Sequence, residues 1–285
     1  MLKTRVITAL VAVAVLLAAL FYFPKWAWGG LTMLVVLAGC WEWSRLSGFA
    51  LRGGLAFLSA SVLLAALIFA VHLDVLRVSW LQRAYQAVFV TATLFWVVAA
   101  PLWLRFAWHP RRALVSGLAG WLVLFPAWIA LLLLRDMSPM LLLSVMVIVW
   151  IADIAAYFAG RRFGKTRLAQ SISPGKTWEG VVGGLIGVMI YFLLWFTALR
   201  YFGATWAYWL ILYGSWLPFV FLLLGAVSVV GDLFESWMKR CAGVKDSSNL
   251  LPGHGGILDR IDALTSALPL AGLFVFVVSR YMPDA

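Results

Sequence analysis

Cysteine, histidine and acidic residues are all scarce in this 285-residue chain, which has two, three and eleven of them. Two cysteines, Cys40 and Cys241, cannot make a disulfide framework. Charged residues amount to only 12% against 65% hydrophobic, and a mean hydropathy of +1.00 excludes an ordinary soluble domain. There is no internal repeat, low-complexity tract or linker to mark a second domain. We therefore expect one membrane-embedded domain, with N-terminal spans over about 1–134 and a C-terminal catalytic part over about 137–285. The shortage of acids leaves a net charge of +11, which suits an anionic membrane surface or substrate and makes nucleic acid a poor third.

What the chain has in abundance is long apolar runs. Nine are legible, at about 6–23, 26–41, 55–73, 84–104, 113–134, 137–160, 180–199, 206–231 and 263–281. Long uninterrupted runs predict helical spans, because barrel strands alternate over about ten residues. The fold class expected is an all-α polytopic membrane protein of about nine helices. The first run ends in aromatics without a small-residue cleavage site, so it reads as a retained span. With nine spans, sixteen of the 22 Lys and Arg fall on the side of the N-terminus and the loops at 42–54, 105–112, 161–179 and 232–262. The positive-inside rule puts that side in the cytoplasm and the C-terminus outside.

The scarce polar residues are concentrated on this side. In VVGDLFESWMKR, Asp232, Glu235 and Lys239 are spaced i, i+3, i+7 and share a face if the helix continues past the run. In ILDRIDALTSALPL, Asp259 and Asp262 open the last span, where the helix dipole favours anions. A solvated helix end and simple dipole complementarity account for each pair separately. If the two helix ends meet, a divalent cation relieves the repulsion, and an all-oxygen donor set favours Mg²⁺ over zinc. Between them, LLPGHGG allows a tight turn whose backbone N–H groups approach a phosphate, or an ordinary turn. His254 in it reads as a ligand, a phosphate donor or a structural hydrogen-bonder.

The loop GRRFGKTRLAQSISPGKTWEG adds five basic residues. SPGKT is not a P-loop: the pattern needs glycine where Gln170 stands, and a preceding strand where a membrane helix is expected. The loop either holds a triphosphate or simply serves topology. Asp153 lies about ten residues inside its span, with Tyr157 one turn on, and such a carboxylate faces a polar cavity or a partner. The pairs Gly180/Gly184 and Gly183/Gly187 predict close helix packing. Carboxylates for a metal and bases for phosphate at one face are what phosphoryl or nucleotidyl transfer to a lipid headgroup requires.

The run from Ser236 to Asp262, SWMKRCAGVKDSSNLLPGHGGILDRID, resembles the signature of the phosphatidate cytidylyltransferases. Ser-x-x-Lys-Arg, Lys-Asp, Pro-x-His-Gly-Gly and Asp-Arg-x-Asp all stand at that family's spacing. SPGKTWEG and the A-D-x-x-A-Y around Asp153 add to the likeness. Gly175 stands where some relatives carry a second lysine, which leaves position 175 only its backbone for phosphate. The resemblance implies transfer of CMP from CTP to phosphatidate at the cytoplasmic leaflet of a bacterial inner membrane, with Mg²⁺ and room for a second cation. It also implies a homodimer and no nucleic acid partner. Carried over by position, Asp232, Asp259 and Asp262 would bind metal, with Lys239 and Arg260 beside them in catalysis. Asp153, Ser173, Lys176, Thr177, Arg240, Lys245, Asp246, His254, Gly255 and Gly256 would contact the substrates.

Two rivals remain at this stage. A CTP-dependent lipid kinase would move the γ-phosphate to an alcohol and would want a base beside the metal. An ion-coupled transporter would use Asp153, but such folds show paired repeats and broken helices.

Overall fold

In the computed structural model, residues 2–76, 81–109, 113–202, 215–251, 253 and 255–279 are described. Long helices dominate: α1 (Leu2–Tyr22), α2 (Lys25–Leu46), α3 (Leu51–His72), α4 (Leu81–Leu94), α5 (Ala100–Arg105), α6 (Ala113–Met137), α7 (Pro139–Phe163), α8 (Trp178–Phe202), α9 (Leu217–Cys241) and α10 (Leu258–Ser279). A π turn over Phe95–Ala99 joins α4 to α5. Seven helical segments are long and apolar enough to cross a membrane: Leu51–His72, Arg83–Arg105, Ala113–Met137, Pro139–Phe163, Trp178–Tyr201, Leu217–Cys241 and Leu258–Val278. In hydrocarbon every backbone N–H and C=O needs an internal partner, which is why these runs are helices.

Local chemistry sets the boundaries. Prolines sit in the first turns of α7 and α9, where a missing N–H has no cost. At the end of α9, Gly243 adopts φ +69, while Gly243 N–H bonds Arg240 O and Val244 N–H bonds Lys239 O. This is a Schellman stop, and the left-handed residue it needs is glycine. Three boundaries differ from the apolar runs. α2 continues through the polar turn Glu42–Leu46, α9 runs to Cys241, and α10 starts at Leu258. In each case the helix outlasts the hydrophobic stretch because its polar turn packs against protein. The first part of the run at 206–231 lies outside the described residues.

Helix ends gather into two sets. On one face, Trp43 Nε1 donates to Ser116 O at 2.9 Å, and Trp237 Nε1 to Trp108 O at 3.3 Å. On the other, Lys25 pairs with Asp74 at 3.0 Å and Asp136 at 3.7 Å, and Arg135 donates to the carbonyls of Leu20 and Phe23. The loops alternate between the faces as the run order requires. In the core, Phe234 is 1% exposed. It packs edge-on against Phe95, Trp96 and Trp103 and lies flat beside Trp43, fixing α9 against α2, α4 and α5.

The loop between α7 and α8 is an antiparallel hairpin, β1 (Arg167–Ala169) with β2 (Ser173–Thr177), so the SPGKT segment is a strand. The helices that carry it touch through small residues. A Cβ on Gly184 would lie 2.9 Å from Ala152 O and one on Gly187 2.7 Å from Ala155 Cβ. Backbones approach that closely only where side chains are missing. Gly184→Leu should therefore destabilise the fold by about 1–3 kcal/mol through overpacking. The expected result is a lower unfolding midpoint in detergent, with Gly30→Leu unchanged because a Cβ there meets nothing within 4 Å.

Candidate active site

The glycine-containing loop between α9 and α10 is held from inside by two carboxylates. Glu42, from the last turn of α2, is fully buried. Its Oε1 accepts from Ser248 Oγ at 2.6 Å and Ile257 N at 2.8 Å. Its Oε2 accepts from Ser247 Oγ at 3.0 Å and Leu258 N at 2.7 Å. Ile257 and Leu258 supply the first N–H groups of α10, so Glu42 caps that helix from 215 positions away in sequence. Asp259 does the same from the opposite side. Its Oδ2 accepts from Gly256 N at 2.7 Å, Ser247 N at 2.9 Å and Ser247 Oγ at 2.8 Å. The single Ser247 hydroxyl proton serves one of the two carboxylates at a time.

Two glycines make room for this grip. Gly255 has φ +80, and a Cβ there would meet Asp259 Oδ2 at 2.7 Å. A Cβ on Gly256 would fall onto Glu42 and Ser247. Both glycines are thus explained by the carboxylates behind them. His254 and Pro252, between them in the loop, lie outside the described residues.

Lys239 joins α9 to α10. It is buried, donates to Asp259 Oδ1 at 2.6 Å and pairs with Glu235 one turn back. The i, i+4 pair expected on a continuing helix is present, and Asp232 on the same helix turns elsewhere. Asp232 is half-buried and its Oδ2 lies 2.5 Å from Lys176 Nζ on β2.

Lys176 and Asp232 belong to a cleft of about 720 Å³. α7 contributes Asp153, Tyr157 and Arg161, the hairpin Arg167, Lys176 and Thr177, and α8 and α9 the remaining wall. Asp153 lies within the field of Asp232 and Lys176, and Asp262 within that of Asp232 and Asp153. Three carboxylates thus share one end of the cleft with a single ammonium. Asp262 also takes the backbone N–H of Ala263 at 2.8 Å.

The structure separates residues that the motif grouped. Asp232, Asp259 and Asp262 do not converge as a metal-binding trio, and no such trio is found among the described residues. The physical reason is that both Asp259 oxygens are occupied by Lys239 and by loop donors. Lys239 itself is a brace between buried carboxylates and is not open to phosphate. Arg240 donates to Ile172 O at 3.2 Å and Val244 O at 3.1 Å, tying the hairpin to α9. Thr177 is buried, and its Oγ1 accepts the Gly180 N–H at 3.1 Å, which makes it the cap of α8. Ser173 pairs with Ala169 in the hairpin. Lys245, Asp246 and Arg260 are exposed around the loop.

Glu42 escaped the sequence reading. Its signal was the one acid at the end of an apolar run, between Trp41 and Trp43, the same signal that drew notice to Asp232. Four donors converge on this charge, so Glu42→Gln turns an acceptor into a donor facing donors. The expected cost is on the order of 3 kcal/mol, read as a lower unfolding midpoint and faster protease cleavage within 248–257. A variant with the normal midpoint and cleavage pattern would contradict the brace.

The Cytidylyltransferase family model matches residues 3–278. The phosphatidate cytidylyltransferase of Pseudomonas aeruginosa is 41% identical over 278 residues, covering 95% of each chain. That of Haemophilus influenzae is 37% identical over 300 residues, covering 98% of this chain and all of the relative. That of Thermotoga maritima is 41% identical over 137 residues, about half of each. With its signature loop braced by Glu42 and Asp259 beside a basic and acidic cleft, and with a match along nearly its whole length, this chain belongs to the cytidylyltransferase family.

Proposed function

We propose that this chain transfers CMP from CTP to phosphatidate, giving CDP-diacylglycerol and pyrophosphate. The observation that carries the reading is the cleft, where Asp153, Asp232 and Lys176 meet in a chain of this family. A phosphate oxygen of phosphatidate attacks the α-phosphorus of CTP, the bond to the bridging oxygen of the β-phosphate breaks, and pyrophosphate carries away the electron pair. A phosphomonoester has its second pKa near ~6 and is already largely ionised at neutral pH, so no strong general base is needed. Lys176 sits on a strand edge with its ammonium in the cleft, where it can pass from Asp232 to a triphosphate oxygen.

Three carboxylates around one ammonium leave excess negative charge, and the donors are all oxygen, so the residues fit a hard divalent cation. Asp232 and Asp262, with Asp153 beside them, would hold Mg²⁺, which supplies charge neutralisation at the phosphates. Glu42 and Asp259 would act by holding the loop, and Arg240 by holding the hairpin.

The same reading places the chain as one domain in a bacterial inner membrane, crossing nine times as a homodimer subunit. The N-terminus and cleft would face the cytoplasm and the C-terminus the outside. Glu42 of α2 gripping the loop before α10 supports a single domain, and the loop charge supports the orientation.

The test uses purified protein in mixed micelles with phosphatidate, Mg²⁺ and CTP labelled in the cytosine ring or at the γ-phosphate. Ring label is expected in the lipid, and EDTA is expected to stop its transfer. Label arriving only from the γ-phosphate, on an alcohol acceptor, would make the protein a lipid kinase, and full transfer in EDTA would remove the cation from the account.

A further inference from the structure

The cleft has an end that the reaction above does not use. Asp153, Tyr157 and Arg161 follow one another at i, i+4, i+8 on α7, all lining the cleft. The stripe rises ~6 Å per step, so Arg161 stands about 12 Å above Asp153 along the helix. Acidic groups lie at the deep end, and the guanidinium groups of Arg161 and Arg167 lie at the mouth.

Both arginines are available to an anion. Among the described residues, neither has a carboxylate within ion-pair distance, in contrast to Lys176 and Lys239. Arg167 is fixed through Nη1, which donates to Pro174 O at 2.6 Å, leaving its other N–H groups directed elsewhere. Arg161 Nη1 donates to Tyr157 Oη at 3.4 Å, so the Tyr157 hydroxyl proton remains free to donate. The adjacent Arg162 instead stacks on Phe163 at 5.8 Å, so charge alone does not put an arginine in the cleft.

The same edge of α7 is apolar. Ile154 and Phe158, next to Asp153 and Tyr157 along the helix, are 57% and 63% exposed. A cationic mouth flanked by exposed hydrocarbon-facing side chains matches an amphiphile, with an anionic head and apolar tails. We propose that Arg161, with Tyr157 and Arg167, binds the phosphomonoester of the lipid substrate, its acyl chains lying along Ile154 and Phe158. This rests on the cytidylyltransferase reading but makes a claim about lipid binding that can be measured without turnover. Guanidinium suits this task because its planar fork meets two phosphate oxygens at once.

A phosphate could also come from the nucleotide, and kinetics separates the two sources. Losing a charge-assisted contact of this kind weakens binding roughly 10- to 100-fold. Arg161→Gln should raise the KM for phosphatidate by that factor and leave the KM for CTP and inhibition by pyrophosphate within about twofold. Arg161→Lys should recover part of the loss, and Arg162→Gln should behave as the unmodified protein. Equilibrium binding of dioctanoyl phosphatidate in detergent, without CTP, should fall in Arg161→Gln, with dioctanoylglycerol as the headgroup-free control. A rise in the CTP KM or weaker pyrophosphate inhibition would assign the mouth to nucleotide phosphates and overturn the proposal. Unchanged constants for both substrates would overturn it as well. Lipid binding that depends on Arg161 in a protein that transfers no ring label would uphold this site and refute the reaction.

Discussion

A carboxylate at membrane depth has to be matched by protons, ammonium groups or backbone donors, because hydrocarbon supplies none of them. An unmatched acid at the centre of a span costs about 2.5–3.5 kcal/mol on insertion scales. Each acid on the candidate face answers this requirement in its own way. Glu42 is neutralised by two serine hydroxyls and the N-terminus of α10. Asp259 and Glu235 share Lys239. Asp232 has Lys176, which comes from a hairpin and not from a helix. The helix packing, the hairpin and the shape of the glycine loop all follow from bringing those partners to those charges.

The partners divide the acids by availability. Glu42 and Asp259 are saturated by groups fixed in the fold, so they hold geometry. Asp153, Asp232 and Asp262 share a single ammonium that lies on the edge of a two-stranded hairpin. Charge left incompletely matched in a cleft is where a cationic ligand or a polyanion with its counter-ion gains most. The same fold therefore builds a rigid loop and, next to it, a site with electrostatic work left undone.

Much of this was legible in the chain. The apolar runs located the helices, since in a membrane length and hydropathy decide nearly everything. Spacing of Gly180, Gly183, Gly184 and Gly187 announced the α7–α8 contact, and the depth of Asp153 announced a polar cleft. Contacts between distant segments were not legible. Nothing near Glu42 in sequence points to Ser247 or Leu258, and the motif's close spacing of Asp259 and Asp262 hid that one faces Lys239 and the other the cleft. The hairpin was missed because five basic residues among Ser, Gly and Thr look like a loop, and its strands pair over only a few residues. Helix ends were read short wherever a polar turn was paid for by tertiary contacts, as at Glu42–Leu46 and Leu258–Asp262.

The most direct test is the turnover of Asp232→Asn, measured beside its unfolding midpoint in the same detergent. Asp232 lies in the incompletely matched set, and its loss leaves Lys176 at the solvent-lined cleft edge and the loop braces intact. The account predicts that CMP transfer to phosphatidate is abolished while the midpoint stays where it was. A variant that keeps near-normal turnover would take Asp232, and with it the cleft, out of the chemistry.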